Sequence, residues 1–283
     1  MGKTVIITDS TADLSSELIE KYNIEVIPLC IVLDDKSYFD GRDITPEEII
    51  EWSNKNKTTP KTSAAGIEEA INALKPHKEA DDEVIYIGIS EDMSTTCNVI
   101  RLAADELEYE KVHVINSMNL STGIGLQVLR AAELAQEGVS AGDIYEAIYN
   151  ARDLVRASFV VDTLTFLARG GRCSAVTALL ANTLQLKPRI EVKDGKMGVG
   201  TKYRGKTKKV LMSYVEDMKD DLLNADPRRV FVTYSVMDHE LVEPVVEYLK
   251  SLNYFEEILE TQAGGVITSH CGPATLGVLF YSK

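Results

Sequence analysis

The sequence predicts an α/β protein: a parallel-sheet N-terminal domain with helices on both faces, plus a second α+β domain with a mixed sheet. Three observations carry this. Residues 1–117 alternate short apolar runs with helical stretches, the pattern of βαβ units. After Arg156 that alternation gives way to a strand, a Gly170-Gly171 turn and a hairpin signal at Asp194-Gly195. The chain's 283 residues suffice for two domains of ordinary size. The boundary falls near residue 157, giving domains of 1–157 and 158–283.

Taken in order, Val5–Thr8 reads as a strand ending in Asp9-Ser10-Thr11, with a helix near Ser15–Lys21 and a second strand-like run at Glu25–Leu33. Thr45-Pro46-Glu47-Glu48 is a helix start: a threonine cap, proline in the first turn and acids facing the dipole. Val84–Ser90 and Val112–Asn116 read as buried strands. Three strands thus finish in small polar residues (Asp9-Ser10-Thr11, Ser90, Asn116-Ser117), which fits a ligand crevice at the carboxyl ends of a parallel sheet. Capping of the next helix explains any one of them equally well. Helices follow at about Thr122–Glu137 and Ala141–Leu154, the second with a Ser140/Asp143 capping pair. In the second half, Ser158–Asp162 reads as a strand and Ser174–Leu184 as a helix. Arg189–Lys193 and Met197–Tyr203 form the hairpin. A helix near Lys206–Leu223, a strand at Val230–Ser235, a helix at Glu240–Leu252 and final strands complete the chain.

Composition narrows the function. A net charge of −14 opposes nucleic acid as a partner, because neutralising phosphates needs excess Lys and Arg. No apolar run reaches the ~20 residues that span a bilayer, so stable membrane insertion is not expected. No signal-peptide h-region follows Met1, and Ile6 stands where a myristoylation site wants Ser or Thr. Cys30, Cys97, Cys173 and Cys271 are widely spaced without a C-x-x-C pair, which fits a reducing cytoplasm and no zinc site.

Gly123-Ile124-Gly125 lacks the third glycine of a dinucleotide fingerprint, Val128 standing in its place, and reads as close helix packing. His239-Glu240 has no second histidine four residues on, so it is a solvated helix start rather than a metal motif. His77 and His113, beside polar loops, read as incidental. His270 differs: Thr268-Ser269-His270-Cys271-Gly272-Pro273 reads as a tight polar loop between two apolar strand-like stretches, a setting kept for binding. Cys271 reads as a packed cysteine. Two hydroxyl-rich segments, Thr58-Thr59-Pro60-Lys61-Thr62-Ser63 and Met93-Ser94-Thr95-Thr96, precede helices and suit an anion such as a carboxylate. No G-x-S-x-G elbow marks a nucleophile, although Ser94 and His270 could pair as nucleophile and base if they meet. Lys202, Arg204, Lys206, Lys208 and Lys209 form a basic cluster that reads either as a solvated hairpin or as a docking patch for a phosphate or a partner carrying one.

Six segments run in order along nearly the whole chain: Asp9-Ser10-Thr11-Ala12-Asp13-Leu14, Lys61-Thr62-Ser63, Ser90 through Thr96, Leu167-Ala168-Arg169-Gly170-Gly171-Arg172, Lys202-Tyr203-Arg204-Gly205 and Ser269-His270-Cys271-Gly272-Pro273. Together they resemble the DegV family. The resemblance implies a two-domain protein that binds one long-chain fatty acid, palmitate-like or oleate-like, in a tunnel between the domains, with no cofactor or metal. It further implies a non-catalytic carrier that presents the acyl carboxylate to a separate ATP-dependent fatty-acid kinase, which makes an acyl phosphate for phospholipid synthesis. Thr62 and Ser94 would hold the carboxylate, with Ser63, Arg172 and His270 in or near its network, and Arg204 would serve the kinase or phosphate. A Ser94/His270 acyl hydrolase or acyltransferase is the alternative. The chain departs from the family pattern at Ala64-Ala65, where Gln-Pro is usual, and at Thr95 and Ala274, where Gly is usual.

Overall fold

The computed structural model describes residues 2–177 and 186–283. The first half comprises β1 (Thr4–Asp9), α1 (Ser16–Tyr22), β2 (Glu25–Ile27), β3 (Cys30–Leu33), β4 (Lys36–Phe39), α2 (Pro46–Asn56) and β5 (Lys61–Ser63). It continues through α3 (Ile67–Glu79), β6 (Glu83–Gly88), α4 (Thr96–Glu106), β7 (Val112–Asn116), α5 (Thr122–Gln136) and α6 (Ala141–Ala151). Then come β8 (Val155–Val160), α7 (Thr165–Gly170), α8 (Ser174–Thr177), β9 (Leu186–Lys193), β10 (Lys196–Arg204), α9 (Thr207–Asp217) and α10 (Lys219–Leu223). The chain closes with β11 (Ala225–Tyr234), α11 (His239–Ser251), β12 (Glu257–Gln262), α12 (Gly265–Cys271) and β13 (Leu276–Ser282). The rest of the helix expected at Ser174–Leu184 lies outside the described residues.

Strands β2-β1-β6-β7 form a wholly parallel sheet. Strands β10-β9-β8-β13-β11-β12 form a mixed sheet, antiparallel except for the β11/β12 pair. The predicted fold class therefore holds. Glu25–Leu33 differs from expectation in being two strands, and the helix expected near Lys206–Leu223 is the pair α9 and α10. Pro28 carries no N–H to continue a ladder. After it, β3 leaves the parallel sheet and forms a small antiparallel sheet, β4-β3-β5.

The layers follow from side-chain alternation. In β8, Ala157 and Phe159 face the central core while Val160 joins the opposite one. In β11, Phe231 faces the centre, and Val230 and Val232 face away. A one-residue slip would exchange these faces, so the pattern fixes register. Helices α3 and α4 cover the outer face of the parallel sheet, α9 and α11 the outer face of the mixed sheet, and α5 packs against both sheets. This position explains why α5 is apolar nearly all round. Gly125 sits against Leu14 and Ala12, the close packing its sequence implied.

Local signals were obeyed. Thr45 and Glu48 form a full capping box. Ser140 accepts the Asp143 amide at 3.2 Å. Asp194 and Gly195, at φ 50° and 77°, make the β9–β10 turn. His239 is exposed beside Glu260 at 2.9 Å. His77 is a correction: it is buried between Asp82 and Glu25, at 3.2 and 3.0 Å, and ties α3 to the strands it covers. Among the described residues no helix is long and apolar enough to cross a membrane, and no group of three side chains is placed to hold a metal ion.

Candidate anion-binding site at the head of an apolar cavity

His270 lies in the last turn of a helix, α12, and not in a loop between strands. The β-branched run Val266-Ile267-Thr268 favours extended backbone by propensity. Tertiary contacts overrule it. The amide of Gly264 donates to Asp13 Oδ1 at 2.8 Å, and those of Gly265 and Val266 donate to Asp40 at 2.7 and 3.3 Å. Two buried carboxylates from the first forty residues thus satisfy the amides that would otherwise be orphaned at the helix start. Ser10 Oγ donates to Asp40 at 2.8 Å, and Ser121 Oγ donates to Asp13 at 2.5 Å. Asp9 is turned inward, accepting from Tyr86 at 2.8 Å and from the Ile89 amide at 3.0 Å. The opening acidic segment therefore faces the protein's own backbone rather than a crevice.

Helix α12 delivers His270 to β5, where its Nε2 lies 2.8 Å from Thr62 Oγ1. Burial, and then the neighbouring charge of Arg172, pull the imidazole down to about 4, so it is neutral at physiological pH. Its Nδ1 is buried with no hydrogen-bond partner among the described residues. Leaving an N–H donor unpaired costs more than leaving a lone pair unpaired. The proton therefore belongs on Nε2, which donates to Thr62 and leaves the threonine hydroxyl proton free for a ligand. Gly170 makes room for the ring: a Cβ there would collide with His270 Nδ1.

Thr62, Ser63, Ser94, Arg172 and His270 all line one cavity of about 420 Å³. Ser94 follows β6, in a turn where its amide donates to Ser90 O at 3.0 Å and its hydroxyl lies 2.8 Å from Thr96 Oγ1. The turn sits beyond the carboxyl end of β6, where ligand sites form in parallel sheets. Ser90 Oγ donates to Gly195 O at 2.7 Å and so fastens the β9–β10 turn over this end of the sheet. Arg172 donates to Gly170 O at 2.8 Å and makes no ion pair among the described residues. The two acids at the rim are already matched, Glu91 with Arg101 at 2.6 Å and Asp92 with Lys196 at 3.4 Å. A guanidinium with no ion pair among the described residues, beside hydroxyls and a neutral imidazole, is a setting for an anion.

The remaining lining is mostly apolar: Leu29, Ile89, Met93, Leu120, Met197, Val266 and Ile267. Sequence reasoning did not find these, because each sits on an ordinary core pattern and only the fold turns it toward a cavity. Cys271 also lines the cavity, but burial pushes its thiol well above the ordinary range. Ser94 and His270 share no hydrogen bond among the described residues. At the departures, Thr95 has φ −89°, so the loop needs no glycine there. Ala274 sits at φ 53°, a left-handed conformation that glycine would adopt without strain. A second cavity, of about 410 Å³, holds none of the candidate binding residues, and of its three arginines Arg189 lies 3.1 Å from Glu191 and Arg152 3.9 Å from Asp153.

Arg204 is elsewhere. It ends β10, exposed with Lys202, Lys206, Lys208 and Lys209, and is not part of the 420 Å³ cavity. Beneath this patch the buried Lys187 meets Asp162, which also accepts from Thr207 Oγ1 at 2.6 Å and so pins the start of α9.

Comparisons with known proteins agree with this architecture. The family model described as "Uncharacterised protein, DegV family" matches residues 3–283. A DegV domain-containing protein of Clostridium perfringens is 35% identical over 99% of both chains. A Thermus thermophilus structure, described as fatty acid binding of a DegV family protein, superposes with a TM-score of 0.90 at 31% identity, covering 99% of this chain and 100% of that one. A stearic acid-binding protein from Eubacterium ventriosum gives a TM-score of 0.86 at 26% identity, covering 100% of this chain and 99% of that one. The chain belongs to the DegV family.

Proposed function

We propose that this protein binds one long-chain fatty acid and presents its carboxylate to a separate ATP-dependent kinase. The observation that carries the reading is the make-up of the 420 Å³ cavity: Thr62, Ser94, Arg172 and His270 share it with a mostly hydrocarbon lining. The similar structures described as fatty acid binding support the ligand class. The ligand would run between an N-terminal unit, residues 1–157, and a C-terminal unit, residues 158–283. Burying ~14–17 methylenes at ~0.8 kcal/mol each gives a gain that exceeds most association costs.

In this reading the carboxylate accepts from the Thr62 and Ser94 hydroxyls, and His270 Nε2–H holds Thr62 oriented for that bond. Arg172 supplies the counter-charge, and Ser63 sits at the mouth. The exposed positions of Ser63, Thr95 and Arg172 leave the head group within reach of a partner. The kinase would join a carboxylate oxygen to the γ-phosphorus of ATP as the bond to ADP breaks, giving the acyl phosphate. This protein would contribute binding and orientation, not catalysis, and would act in the cytoplasm. Ser94 as a nucleophile lacks its base, since its hydroxyl faces Thr96 while His270 faces Thr62.

Organic extraction and mass spectrometry of the purified protein should release a fatty acid of about palmitate or oleate size. Finding none, with no uptake of either acid when added, would overturn the reading, as would turnover of acyl esters. Arg204, exposed and outside the cavity, is proposed to face the kinase or its phosphates. Arg204→Ala is expected to leave fatty-acid affinity within about twofold while acyl-phosphate formation with a kinase subunit falls by roughly tenfold or more, as for loss of one charged contact. Equal loss of both would contradict the separate roles.

A further inference from the structure

Resting on the fatty-acid reading, we infer that Leu120, Ile267 and Cys271 form the neck of an acyl channel whose small inner chamber sets the longest chain the protein accepts. A further, much smaller cavity of about 20 Å³ adjoins the site. Leu120, Ile267 and Cys271 line both cavities, so a single layer of side chains separates them. The inner chamber is closed by Ala263 and, from the mixed sheet, by Phe159 and Leu279.

Four hydroxyl residues also line it, yet each hydroxyl is engaged elsewhere. Ser121 donates to Asp13 at 2.5 Å. Thr233 lies between Thr122 and Thr261, at 2.6 and 3.0 Å. Ser235 donates to Gly272 O at 2.7 Å, and Thr275 donates to Cys271 O at 3.1 Å. A water here would find few free partners, and water enters only where it finds two or more. The chamber is therefore a dry apolar void whose walls forfeit dispersion contacts that a hydrocarbon would restore. At about 20 Å³ it takes on the order of one methyl group, given that about 10–15 Å³ admits one water-sized sphere. Its walls from β8 and β13 belong to a hydrogen-bonded sheet and cannot swing aside as a loop would. A chain whose methyl end fills the chamber gains its last contact there, and one carbon more meets a fixed wall.

The test is displacement of a fluorescent fatty acid from the full chain by saturated acids of about twelve to about twenty carbons. Wild-type affinity should rise about fourfold per methylene, the factor that ~0.8 kcal/mol implies, up to one length and fall beyond it. Ala263→Leu fills the chamber and should move that break about one carbon shorter, in keeping with room for roughly one methyl group. Ile267→Ala removes side-chain volume from the layer that lines both cavities and should move the break longer, the position of the break and not the overall affinity being the readout. A break that stays in place in both folded variants overturns the chamber as the limit while leaving fatty-acid binding intact. A wild-type protein that binds no member of the series overturns the underlying reading instead.

Discussion

Thr62→Ala combined with Ser94→Ala is expected to weaken fatty-acid binding by on the order of 10²-fold or more. A hydrogen bond to a charged group contributes about 1.5–3 kcal/mol, and two are removed at the head of a cavity where water compensates poorly. The acyl contacts are untouched, so the loss must be specific to the head group. A fatty alcohol of equal chain length should bind the wild type less tightly than the acid and bind the double variant about as well as it binds wild type. Titration of both ligands against both proteins measures this. Equal weakening of acid and alcohol would mean that the substitutions collapse the cavity and would remove these hydroxyls from the head-group site. The same titration can be run against pH. Because His270 stays neutral down to about 4, wild-type affinity should not change through the usual histidine range.

The polar residues gathered at this cavity were legible in the sequence, and the reason is local chemistry. Hydroxyls in excess of capping need, at Thr62-Ser63 and Ser94, have few purposes other than polar recognition, whereas Arg172 was indicated only by the resemblance to the DegV family. What the sequence hid was how His270 is held. Helix α12 is seven residues long, β-branched near its start and buried on nearly all sides, so neither propensity nor periodicity marks it. Its caps lie some 225 and 251 residues away in the chain, and no local window contains them. The split of Glu25–Leu33 into two strands of different sheets was concealed for another reason: the apolar pattern continues across Pro28, and only that residue's missing N–H marks the break. The strands and helices of the two main sheets were readable because each carries its own period; elements defined by distant partners were not.

Asp40→Ala should cost about 3–5 kcal/mol of folding stability, because the Gly265 and Val266 amides and the Ser10 hydroxyl each lose a buried acceptor at ~1–3 kcal/mol apiece. That is a large share of the ~5–15 kcal/mol by which domains are stable. Asp13→Asn should act in the opposite sense. Burial, and less strongly the charges of Asp40 and Asp9, hold the Asp13 carboxyl well above its ordinary range, against the pull of its bonds from Ser121 and Gly264. A carboxyl raised in the folded state binds its proton more tightly there than in the unfolded chain. Its stabilising contribution is thus complete below about pH 4 and is lost as the pH rises through the folded-state value. Asparagine mimics the neutral acid, since its oxygen can accept from Gly264 and its amide can donate to Ser121. It also tolerates the left-handed backbone of residue 13, at φ 50°. The variant should therefore match wild type near pH 4 and exceed it in thermal stability near pH 7. Melting curves across that window measure the crossing. A variant less stable than wild type at neutral pH, with the gap widening as pH rises, would show instead that Asp13 is ionised in the folded protein and that its negative charge anchors the helix bearing His270.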